Sequence, residues 1–131
     1  MVRHVLAFGG FVLAFLAASF GYDSFVVPRL PQVQAVPMWW WLLCCVPAIA
    51  VGAYFGWKAK DLWSVLSLSC VGAAAYIAAL QFTGQRFHDI EPGSQYHYIQ
   101  LFASTATVFI AVLLIVALGW ISHALVKRRS A

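Results

Sequence analysis

Between Gln85 and His97 the chain gathers its densest set of groups able to do chemistry: Arg86, His88, Asp89, Glu91 and His97. Imidazoles and carboxylates are the donors that hold divalent metals, and the same pairs can serve as acid and base. The spacing of His88, Asp89, Glu91 and His97 follows no established metal pattern, so the loop 85–97 would have to fold to bring them together. A solvated polar loop is the commoner meaning of such a stretch. A second pair of imidazoles, His4 and His123, stands near the two ends of the chain. Paired histidines can hold haem iron. No Cys-x-x-Cys-His attachment motif occurs, however, and histidine is at home in the headgroup zone, so no cofactor is expected.

A third set consists of mild polar groups inside apolar runs. Ser67, Tyr76, Gln81, Ser104 and Thr107 could line a path for a neutral solute. Hydroxyls in apolar helices more often bond back to their own backbone or weakly to a neighbour. No Asp, Glu, Lys or Arg stands in the middle of an apolar run. Intramembrane charge normally marks ion and proton pathways, so its absence argues against a proton-coupled antiporter or a charge-lined channel.

The elements that must carry these groups follow from composition. Of 131 residues, 63% are hydrophobic and 9% charged, against roughly 25% charged in a soluble chain. The mean hydropathy of +0.85 agrees. A water-soluble fold would lack the polar residues to cover itself, whereas lipid demands none. The expected class is therefore an all-α integral membrane protein whose first partner is the lipid bilayer. The net charge of +4 is spread over the ends of apolar runs rather than along one face, so no nucleic acid is expected. Cys44, Cys45 and Cys70 fit neither a disulfide framework nor a zinc pattern and read as small apolar packers.

A bilayer core needs about 20 apolar residues per helix. Four runs qualify, at about 4–21, 38–57, 62–82 and 98–123, giving one transmembrane domain over 1–131. Pro28, Pro31 and Pro37 should hold the stretch after the first run extended. Gly21 and Gly84 are placed to end helices, and Asp61 and Ser94 to begin them. The brief link Lys58–Asp61 predicts an antiparallel hairpin of the second and third helices. The first run, with Arg3 ahead of it, could be a cleavable signal peptide, but its length favours a retained helix.

Basic residues set the orientation. With both termini inside, Arg3, Lys58, Lys60, Lys127, Arg128 and Arg129 are cytoplasmic, and only Arg29 and Arg86 lie outside. Trp39, Trp40 and Trp41 then mark the outer headgroup level, and Trp57, Trp63 and Trp120 the inner one. The expectation is an up-down-up-down bundle, N-in and C-in, in the inner or plasma membrane of a bacterial cell.

Helices in lipid pack through small residues. The first run offers Ala7, Gly10, Ala14, Ala17 and Gly21, and the second Ala48, Gly52 and Gly56. These faces, together with the missing intramembrane charge, favour a non-catalytic accessory subunit that binds another membrane protein or itself. The alternatives are a homo-oligomeric carrier or channel for a neutral solute, and a membrane enzyme or metal-binding protein using the loop 85–97.

Overall fold

Apolar runs interrupted by proline, glycine and charge resolve, in the computed structural model, into four α-helices. The structure describes residues 2–26, 28–29, 38–83 and 95–130, with backbone alone at 26, 41, 80–83, 96, 97 and 100. Helix α1 spans Val2–Gly21 and passes into a single π-turn, Tyr22–Val26. Helix α2 spans Met38–Lys58, α3 Leu62–Thr83 and α4 Gln95–Ser130. Every described residue outside the link 59–61 is helical.

The helix ends show what the residues dictate. Asp61 caps α3 as expected, its Oδ1 accepting the Ser64 backbone N–H at 2.8 Å. Gly21 closes α1, but the chain continues into the π-turn instead of a left-handed cap. Gly84 and Ser94 lie outside the described residues. Helix α4 runs seven residues beyond the apolar boundary at His123, because Lys127, Arg128 and Arg129 suit the negative end of a helix dipole.

Among the described residues, three helical segments are long and apolar enough to cross a membrane: Val2–Phe25, Leu62–Ala79 and Leu101–Ser130. The described apolar stretch of α2, Leu42–Lys58, is shorter.

Neighbour relations differ from a simple hairpin series. Helix α1 packs on α2 and α3, and α4 packs on the same two, while α2 and α3 scarcely touch and the backbones of α1 and α4 do not meet. Gly10 faces Val51 and Phe55 while Gly21 faces Cys44, so α1 and α2 are antiparallel. His4 meets Ser67 and Phe15 meets Tyr76, so α1 and α3 are parallel. Gly52 faces Ile115 and Trp57 meets His123, so α2 and α4 are parallel. The expected α2–α3 hairpin is thus antiparallel but diagonal. With helix axes 8–10 Å apart, a diagonal is about 13 Å, and the four Cα steps from Lys58 to Leu62 reach at most about 14 Å. The link must cross the base of the bundle, which explains why Ala59 is a buried member of the core.

That core holds Phe11, Val65, Leu68 and Val116 with essentially no exposure, joined by Ala7, Ala75 and Val112. Helices α2 and α4 approach closely at their glycines. A Cβ on Gly56 would overlap the Val116 carbonyl, and one on Gly119 would sit 2.5 Å from the Ala53 oxygen. One glycine on each helix, Gly56 against Val116 and Gly119 against Ala53 and Trp57, lets these backbones come together, although α4 is otherwise bulky.

Candidate functional site

The loop cluster comes first. His88, Asp89 and Glu91 lie outside the described residues, and His97 falls within the first turn of α4 rather than in a loop. Gln81 is described only as backbone in α3. Among the described residues no group of three or more His, Cys, Asp or Glu side chains gathers to hold a metal.

The mild polar groups divide rather than converge. Ser67 and Tyr76 turn toward α1, where they meet His4 and the Phe15 ring. Thr107 is exposed and donates to the Ala103 carbonyl at 2.9 Å, and Ser104 donates to Leu101 at 3.1 Å. Ser69, fully buried, donates to Val65 at 2.8 Å. These are the back-bonds that hydroxyls adopt in apolar helices. Thr105 Oγ1 and Trp40 Nε1 are buried without a hydrogen-bond partner.

His4 and His123 belong to helices that do not pair. The Ser67 hydroxyl, with one proton, donates to the Ser64 carbonyl at 3.1 Å. The 2.9 Å contact with His4 therefore has His4 Nε2 as donor and Ser67 as acceptor. His123 instead lies 5.0 Å, centroid to centroid, from the Trp57 indole. Arg3, one residue before His4, donates to the Lys58 carbonyl at 3.0 Å and satisfies an acceptor at the end of α2. The start of α1 is thereby fastened to both α2 and α3.

A concavity opens at this same basic end. A cleft of about 510 Å³ is lined by Trp57, Lys58, Ala59, Lys60, Trp120, His123, Ala124 and Lys127. The diagonal link supplies its floor, and the last turns of α2 and α4 supply its walls. The chain contains three lysines, and all three line this cleft, with no acidic side chain among the described lining residues. Sequence reading treats these lysines as orientation signals only; placing them in one cleft requires knowing that the link crosses the bundle. Asp61, next to it, is engaged in capping α3, and the Ser64 N–H holds its carboxyl below the usual aspartate range.

The small-residue faces are mostly spent within the bundle. Ala7, Ala14 and Ala48 are buried, as are Gly52 and Gly56, while Gly10 and Gly21 are half-buried and Ala17 is exposed. A different small-residue row stays uncovered: Ala103, Thr107 and Ala111 on α4 are all exposed. With 3.6 residues per turn they share a face that points away from the buried Val112 and Val116.

Compared with protein-family models, with curated proteins and with solved structures, the chain finds no match.

Proposed function

We propose that this chain is a small multi-pass protein of a bacterial cell membrane that acts as a non-catalytic accessory subunit, docking another membrane protein along α4. Four crossings are proposed because α2, at 21 residues, is about 31 Å long and lies against both α1 and α4, each apolar enough to span. The alternation of helix directions gathers Arg3, Lys58, Lys60, Lys127, Arg128 and Arg129 at one end, which is then the cytoplasmic end.

The observation that carries the docking role is the uncovered row Ala103, Thr107 and Ala111. Small residues at four-residue spacing let helix backbones approach in lipid, and here all three stay exposed among the described residues. A carrier lined by Ser67, Tyr76, Gln81, Ser104 and Thr107 gains no support, since Ser67 and Tyr76 face α1 and Thr107 faces outward.

The test is co-purification of tagged full-length protein from its own membrane in mild detergent. Wild type should retain a stoichiometric membrane partner, and Thr107→Leu with Ala111→Leu should lose it while keeping the helix content and melting behaviour of wild type. A wild-type protein that runs as a lone monomer or a homodimer contradicts the proposal.

A further inference from the structure

The cleft at the basic end has a composition suited to one ligand chemistry. Three lysines, Lys58, Lys60 and Lys127, line about 510 Å³, with no carboxylate among the described lining residues. The single carboxylate beside them among the described residues, Asp61, acts on Lys60 and is taken up in capping α3, so the cleft keeps an excess of like charge and is more favourable with an anion in it. Trp57 and Trp120 add apolar surface on opposite walls, and indoles at the headgroup level suit a ligand that is ionic at one end and greasy at the other. Arg3 already satisfies the Lys58 carbonyl, which lessens the negative end of α2 at the floor of the cleft.

We infer that this cleft holds a phosphate-bearing anion, and that its resident is the headgroup of an anionic phospholipid in the cytoplasmic leaflet. The lysines contact the phosphate, and the two tryptophans flank the glycerol and first acyl carbons. This role is independent of partner docking on α4, which lies on a different surface. It also differs from diffuse attraction by the exposed tail Arg128–Arg129, which does not line the cleft.

The experiment uses purified full-length protein in neutral detergent micelles, titrated with cardiolipin or phosphatidylglycerol and followed by tryptophan fluorescence and by lipid adducts in native mass spectrometry. A lysine facing an anionic lipid surface is worth about fivefold in affinity, so Lys58→Gln, Lys60→Gln and Lys127→Gln together should weaken binding by about 100-fold. The control, Arg128→Gln with Arg129→Gln, should change it much less. Inorganic phosphate and glycerol phosphate form the second arm. No competition by them identifies the lipid headgroup, while displacement of the lipid at matched concentrations identifies a phosphate-anion site that lipid shares. A measurement on wild type alone guards against misfolding of the triple variant. An amine-reactive label should modify Lys58, Lys60 and Lys127 freely without lipid and poorly with it. Equal weakening by the cleft and tail variants, or labelling unchanged by lipid, overturns the inference.

Discussion

Replacing Gly119 by alanine places a methyl group 2.5 Å from the Ala53 oxygen and 3.1 Å from the Trp57 nitrogen. Ordinary contact begins near 3.4 Å, so the shortfall is about 0.9 Å, and both obstacles are backbone that no rotamer can move aside. Helices α2 and α4 must separate by about that distance. A gap of 0.5–1 Å forfeits roughly a quarter to a half of each dispersion contact it opens. Overpacking of this kind costs about 1–3 kcal/mol, and a backbone obstacle belongs in the upper half of that range. Against it stands the better helix propensity of alanine, about 1 kcal/mol, leaving a net loss of about 1–2 kcal/mol. Gly9 provides the control, because a Cβ there meets nothing within 4 Å. Gly9→Ala should keep the propensity gain alone and be neutral or stabilising by about 0.5–1 kcal/mol. Reversible denaturation in detergent, followed by circular dichroism and tryptophan fluorescence, measures both. Opposite signs are expected, and two variants that shift stability equally would refute the direct α2–α4 contact.

Gly56→Ala should destabilise at least as much as Gly119→Ala in the same denaturation series, since its Cβ overlaps the Val116 carbonyl. The tie between His4 and Ser67 should appear as a coupling of about 0.6 kcal/mol in a double-mutant cycle of His4→Phe and Ser67→Ala, near the average for such bonds in lipid; zero coupling would mean the contact adds nothing. Asp61 has a lowered pKa because the Ser64 N–H donates to it. Its contribution is therefore present above the unfolded aspartate value of about 3.9 and is lost as pH falls through the lower folded value. Asp61→Asn, an equally good cap, should remove that acid-side slope from the unfolding curve while leaving neutral-pH stability close to wild type.

Helix positions were legible because a bilayer-length apolar run has few alternatives. The expected starts at Met38 and Leu62 coincide with those of α2 and α3, and the Asp61 cap follows from one side chain and one backbone N–H. The end of α4 was less legible, since hydropathy registers where lipid stops and not where backbone hydrogen bonding stops. Which helices become neighbours could not be read from local pattern. The Lys58–Asp61 link fixes that α2 and α3 run in opposite directions, but a side-by-side and a diagonal placement both fit its reach. The small-residue rows of α1 and α2 were visible, yet their partner was not. Gly119, one glycine on a bulky helix, makes a close contact because it stands against the α2 backbone at Ala53 and Trp57. The lysine cleft follows from the same diagonal and was hidden for the same reason.

The membrane placement underlies every functional statement, and reporter fusions probe it directly. A paired reporter, active on one side of the membrane or the other, would be inserted near residue 33, in the link 59–61, near residue 89 and after residue 131. Four crossings with both ends inside predict cytoplasmic signals from the link and the C-terminus and external signals from the other two. The same side for residue 33 and the link would remove α2 as a crossing, and with it the four-crossing bundle and the cytoplasmic placement of the lysine cleft.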